Sequence, residues 1–385
     1  MACRQSGWAF MDFHWDTTLQ DRHDRIVTEL STWPRPDEDY YTREQWQSVA
    51  ELGLLVLPIP GAHGGSGYGA LETARLVDAF GRGAPDLGLV FAACAHTFAC
   101  AIPVAEFAED GLREWVLPRL CSGEWIAGNA VSEAEAGSDV NAMRTTAVRD
   151  GDHYVLNGTK SFVSNGPVAD VFVVYAVTDP SLGHLGISAF LIERDTPGLR
   201  AGEPMPKASL RSCPAGPVVL DDCRVTAGHR IGPEGHGAAI FQRSMQWERT
   251  CLLSAYNGRT ERLIDRCVEH ATTRRQFKRP IGTNQAVSHR LVDARIRLEA
   301  ARLLLWQACW RLDQGIRAVL DVSMAKIAIS ENAVQTALEA VHLFGGAGIL
   351  EETGIDVALC DALPSTVFSG TSELQREIVA VEMGL

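Results

Sequence analysis

The chain has 385 residues, 46% apolar and 22% charged, the balance of a globular protein with a sizeable core spread over two or three domains. Its formal net charge of −13 excludes nucleic acid and anionic membrane surfaces as partners, since both demand a basic footprint. A small anionic ligand is not excluded, because one basic pocket can sit in an acidic surface.

The N-terminus, "MACRQSGWAFMDFHWD", is neither a basic-plus-apolar leader nor a spanning helix. Residues 1 to 125 alternate charged and apolar positions at helical spacing, as in "TREQWQSVAELGLLVL" and "ALETARLVDAFGR". A glycine cluster at 61–69 interrupts them. The apolar run "ELGLLVLPIPGAHGG" is broken by prolines and glycines and is too short for a bilayer. The ten cysteines include no C-x-x-C pair and no metal-ligand spacing, so no metal is expected. Scattered thiols in apolar surroundings read as core residues of a reducing compartment, here the cytoplasm.

Residues 126 to 232 change character. "DHYVLNGTKSFVSNG", "ADVFVVYAV", "GISAFLIERD" and "GPVVLDDCRV" are short β-rich runs between Gly, Asn, Asp and Pro. From 233 to 385 the periodicity is helical again. The expected fold class is α+β, a small β domain set between helical parts.

In "AIFQRSMQWERTCLLSAYNG", Phe241, Met245, Glu248, Leu252 and Ala255 share one helical face. Glu248 therefore falls on a buried stripe, where a carboxylate must be paired, neutralised or functional. It is either a structural ion pair with an arginine from another helix or a general base raised by an apolar pocket. Arg249 points off the stripe, toward a groove edge or solvent. Near the C-terminus, "PSTVFSGTSELQREIV" reads as a helix start with Ser372 and Gln375 at capping-box spacing and no charge in the turn itself.

Four stretches in order resemble one family. "AVSEAEAGSDV" (130–140) and "LNGTKSFVSNG" (156–166) are similar to the two flavin-contacting segments of acyl-CoA dehydrogenases. "TRRQFKRPIGTNQ" (273–285) resembles the stretch with which they reach a neighbouring subunit's flavin. "HLFGGAGI" (342–349) with "FSGTSELQR" resembles their C-terminal glycine pair and substrate-side turn. The resemblance spans essentially the whole chain. It implies an N-terminal helical domain, a middle β domain and a C-terminal four-helix bundle, with FAD as cofactor.

The residue roles that it implies follow one by one. Val131 and Ser132 take the flavin pyrimidine edge, and Gly137 and Ser138 lie near the pyrophosphate and the thioester ligand. Phe162 stands where the family usually has Trp, and Ser164, after Val163, where it has Thr near flavin N5. Arg274, Phe277 and Gln285 reach across the subunit interface. His342 replaces the usual glutamine beside Gly345 and Gly346. Thr371 and Glu373 belong to the flavin side, and Arg249, Phe368, Ser369 and Gly370 to the substrate side.

Ser369 departs from the pattern. Most of the family has a catalytic Glu there, and a serine hydroxyl is too weak a base without a partner. Isovaleryl- and long-chain enzymes place their base earlier, at the position matched by Glu248. The resemblance thus implies α,β-dehydrogenation of an acyl thioester, acyl-CoA or acyl-carrier protein, with Glu248 as base. It also implies a homotetramer, a dimer of dimers, and an electron-transfer flavoprotein as acceptor. "SMQWER" with Ser369 looks like members from polyketide or other secondary-metabolite biosynthesis. An oxidase or hydroxylase on the same fold, and a non-catalytic flavin protein, are the alternatives.

Overall fold

The computed structural model describes residues 15–34 and 40–385. Residues 1–14 of the N-terminal stretch lie outside them. The helical, β-rich and helical zones expected from the sequence follow one another along the chain.

The first zone holds α1 (Thr17–Ser31), α2 (Arg43–Glu51) and α3 (Ala70–Gly83). The first two starts have a local cause. Asp16 caps α1 by accepting from Leu19 N at 2.7 Å, and Thr42 and Gln45 form a full capping box on α2. A long apolar helix follows, built from α4 (Leu87–Cys94), a π-helical stretch (Ala95–Ala101) and α5 (Ile102–Phe107). By length and composition it could cross a bilayer, but 94% of its most apolar stretch is buried inside the protein. The last helix of this zone is α6 (Asp110–Cys121).

The β zone contains β1 (Ala127–Ala130), β2 (Thr146–Asp150), β3 (His153–Ser164), β4 (Val171–Val177), β5 (Ile187–Glu193), β6 (Leu199–Ala201), β7 (Ala215–Thr226) and β8 (Arg230–Ile231). The sheet runs β6-β7-β3-β2-β4-β5-β8, with β1 parallel to β4. The four β-rich runs picked from the sequence become β3, β4, β5 and β7. Tyr154, Leu156, Phe172 and Phe190 form the centre of its own apolar core.

The C-terminal zone opens with one continuous helix, α7 (Gly237–Trp247), a π-helical turn (Glu248–Leu252) and α8 (Leu253–Thr273). A two-residue hairpin, β9 (Arg275–Gln276) and β10 (Arg279–Pro280), leads to α9 (Gln285–Asp313), α10 (Val319–Phe344), α11 (Ile355–Ala362) and α12 (Ser372–Met383). This zone shares one apolar core with the N-terminal helices. Helices α3 and α8 touch backbone to backbone. A Cβ added at Gly81 or Gly258 would lie 2.0 or 1.9 Å from the facing carbonyl oxygen, so only glycine permits the crossing. Among the described cysteines, all are buried except the half-buried Cys360.

Asn165 pins the zones together. Its amide donates to Ala92 O (3.0 Å) and Ala127 O (3.2 Å), and its oxygen accepts from Tyr41 Oη (2.9 Å). The β sheet is thereby fixed against α4, and its strand β5 packs against α7. A cleft between β domain, α7 and the C-terminal turn results.

Candidate active site

The cleft encloses a cavity of about 640 Å³, within the usual range for cofactor and ligand sites. One wall comes from the β domain: Val131, Ser132, Gly137, Ser138 and Phe162. A second comes from α7 and its π turn: Phe241, Met245, Glu248 and Arg249. The third is the C-terminal turn, Phe368 to Thr371.

Two features shape the β wall. Strand β3 shifts register against β7 between Lys160 and Val163, a bulge that turns the chain locally. Phe162 sits in it with φ +56° and is 67% exposed, its ring presented at the cavity rather than in the sheet. Next to the bulge, the fully buried Lys160 donates to Val131 O (2.9 Å) and Glu133 Oε1 (2.8 Å), while Ser161 N donates to Ser132 O (2.8 Å). Burial alone would raise the Glu133 carboxyl. Hydrogen bonds from Lys160, Thr145 and Arg144 N prevail and bring it down to about 2. The sequence reading missed this pair. Its only signal was a lysine alternating in phase with buried strand positions.

Glu248 opens the π turn and is 9% exposed, on the same buried face as Met245 and Leu252. No arginine forms an ion pair with its carboxylate among the described residues. Burial pushes its pKa up to about 7, against the opposing pull of the Ser369 hydroxyl and the Arg249 charge. A group so poised can hold or release a proton at neutral pH. Single π turns concentrate at functional sites, and here one begins at the carboxylate.

Ser369 Oγ donates to Glu248 Oε2 at 2.5 Å. The partner of this serine comes from 121 residues earlier in the chain, not from its neighbours in sequence. Arg249 also differs from expectation. It is 8% exposed, turned inward, and its Nε donates to Ser369 O at 2.8 Å. The wider i→i+5 turn swings residue 249 off the solvent side. Phe368 packs edge-on against Phe91, ring centroids 5.0 Å apart, and tilted against Tyr256. The cap of α12 lies one residue earlier than expected: Thr371, not Ser372, accepts from Leu374 N at 3.2 Å.

The remaining expected residues lie outside the cavity. The Val163 side chain is buried in the β-domain core and does not line the cavity. Ser164 neighbours it on β3 without lining the cavity, and Glu373 is exposed on the first turn of α12. Arg274, Phe277, Gln285, His342, Gly345 and Gly346 are all exposed on the helical zone. Phe277 is 92% exposed at φ +50°.

Three consecutive segments match the acyl-CoA dehydrogenase N-terminal domain (residues 22–124), middle domain (128–223) and C-terminal domain (235–384). The chain belongs to the acyl-CoA dehydrogenase family. It is similar to an L-prolyl-[peptidyl-carrier protein] dehydrogenase of Pseudomonas fluorescens, at 49% identity over 97% of this chain and 100% of that one. Among solved structures it resembles "PigA with FAD and proline" (42% identity, TM-score 0.94). The prolyl acyl carrier protein oxidase AnaB is similar as well (39% identity, TM-score 0.94). Both structural matches cover 97% of this chain and 100% of the other.

Proposed function

We propose that this member of the acyl-CoA dehydrogenase family desaturates an acyl thioester held on a carrier protein, with a prolyl group as the acyl moiety and Glu248 as the α-proton base. The carrying observation is the Glu248 carboxylate itself: buried in the cavity wall, with no arginine ion pair among the described residues, and pushed by burial up to about 7. The names of the similar proteins supply the prolyl group and the carrier.

The residues present fit FAD. The outward Phe162 ring offers a flat apolar wall, Gly137 leaves its side open, and the buried Asn129 Oδ1 on the cavity wall is an acceptor with no partner among the described residues. Val131, Ser132, Gly137, Ser138, Phe162 and Thr371, which line the cavity, would hold it. When bound, FAD supplies the acceptor for the substrate's β-hydride. The protein's own part is alignment and proton transfer. The Ser369 backbone N–H polarises the thioester carbonyl, Glu248 removes the α-proton, and Phe241, Met245 and Phe368 keep water from the reacting carbons.

The exposed set Arg274, Phe277, Gln285, His342, Gly345 and Gly346 makes chemical sense as a second subunit's contribution to the FAD site. A homotetramer built as a dimer of dimers in the cytoplasm is therefore part of this reading. So is a division of the chain at 1–125, 126–232 and 233–385. An electron-transfer flavoprotein takes the electrons. The likeness to AnaB, described as an oxidase, favours oxygen as the second reading for that step.

The test is anaerobic flavin bleaching by L-prolyl-carrier protein against an acyl-CoA panel. Glu248→Gln retains FAD and loses bleaching by roughly 10²–10⁴-fold. Near-normal bleaching in that variant overturns the assignment. Re-oxidation by oxygen or by electron-transfer flavoprotein then separates the two acceptors.

A further inference from the structure

Ser369 occupies the position at which the resemblance places the base of most family members, and it touches the carboxylate assigned here as the base. Three observations converge on it. Its hydroxyl donates to Glu248 Oε2 at 2.5 Å. Its carbonyl accepts from Arg249 Nε at 2.8 Å, so one residue is tied to both members of a consecutive pair in the π turn. Its backbone is left-handed, φ +53°, directly before Gly370 at φ +92°. Glycine adopts that conformation freely, whereas a serine there carries backbone strain that its contacts must offset. Ordinary packing does not account for a strained serine whose two polar groups both end on residues 248 and 249.

We infer that Ser369 is a positioning residue: its hydroxyl fixes the Glu248 carboxylate through Oε2 and holds it in the proton-accepting form, leaving Oε1 for the substrate's α-hydrogen. The inference rests on the reading of Glu248 as base. Oε1 receives no hydrogen bond from the described residues. On transfer, the α C–H bond breaks and its proton goes to Oε1. The electron pair stays with the substrate, and the Ser369 O–H bond stays intact throughout.

The electrostatic surroundings leave this role to Ser369. Cys94 on α4, Cys100 on the adjoining π-helical stretch and Tyr175 on β4 face Glu248, and burial pushes all three upward, so they stay neutral. Arg249 is the one cation beside the carboxylate among the described residues, and it spends Nε on the Ser369 carbonyl. Lys326 on α10 faces Arg249, with burial lowering it to about 8. The Ser369 hydroxyl is thus the hydrogen-bond donor on a carboxylate that burial would otherwise keep protonated. A hydrogen bond to the charged form lowers a carboxyl's pKa, so its loss must raise it.

The experiment uses FAD-loaded Ser369→Gly, which relaxes the left-handed backbone, and Ser369→Ala, which does not. Single-turnover flavin reduction by L-prolyl-carrier protein is followed against pH. In parallel, the protonated-carboxyl infrared band, assigned by its loss in Glu248→Gln, is titrated without substrate. In both serine variants the rising limb and the infrared midpoint move up by about one to two pH units. The rate at neutral pH falls roughly 10-fold or more and recovers at high pH, while KM stays within about threefold. An unmoved infrared midpoint in either variant overturns the inference. Glu248→Gln separates the two ideas. Full activity there defeats the base reading itself, whereas an inactive Glu248→Gln beside unshifted serine variants defeats only the role of Ser369.

Discussion

Residue identity decides the site through burial more than through reactivity. Glu133 and Glu248 are the same side chain in two settings: lysine and backbone donors hold the first at about 2, and an apolar wall lifts the second to about 7. Lys160→Met tests the first setting. Removing one partner of a buried pair costs about 3–5 kcal/mol, measured by urea unfolding at pH 7. The sign of the pH effect follows from the depressed Glu133 value. Its stabilisation is present above about 4.5 and is lost as pH falls through about 2. The variant therefore shows a flatter stability loss over that acid range than the parent. Glu248 was legible in the sequence because the 4-3-4-3 spacing needs no tertiary knowledge. Arg249 was not, because helical periodicity assumes the regular turn that the π turn replaces. Lys160 showed only its phase with the buried strand positions, since a strand lysine reads as solvated until its partner on another segment is seen.

Elements carry the site by crossing at fixed angles. The helix bearing Glu248 is held against α3 by Gly81 and Gly258, and beside that contact lies a buried ion network. Arg302 on α9 donates to both carboxylate oxygens of Asp78 on α3 (3.1 Å) and to Glu261 on α8 (2.6 Å). Arg302→Ala leaves Asp78 buried without its cation. The expected loss is about 3–5 kcal/mol in denaturant unfolding, and replacing Asp78 and Arg302 together by Leu and Met recovers most of it. Strands β3, β4, β5 and β7 were readable from residue type and alternation. The bulge at Phe162 was not, since a two-residue period carries no mark of an inserted residue. The cap of α12 was misplaced by one position because Thr371 and Ser372 are both competent caps, and only backbone geometry chooses between them.

At the scale of the molecule, the order of helical, β and helical zones was plain in the sequence, whereas the cavity was not, because its walls come from residues 129–187, 237–249 and 364–378. The subunit arrangement proposed above makes a further prediction. Arg274→Ala spoils the neighbour's site and Glu248→Gln spoils its own. Co-refolding the two inactive variants in equal amounts regenerates about a quarter of the wild-type sites, since half the pairs are mixed and each carries one intact site. No recovery of bleaching activity from the mixture would show that each chain completes its own site. The long apolar helix from Leu87 to Phe107 bears on something different, the order in which the chain is made. Its covers include β1, starting at residue 127, and α7, ending at residue 247. Synthesis runs from the N-terminus, so for well over a hundred residues of translation this segment stays incompletely covered, with the length and apolar character of a membrane anchor. Its concealment is an event in time, completed when α7 leaves the ribosome, and until then the nascent protein depends on whatever shields such a stretch.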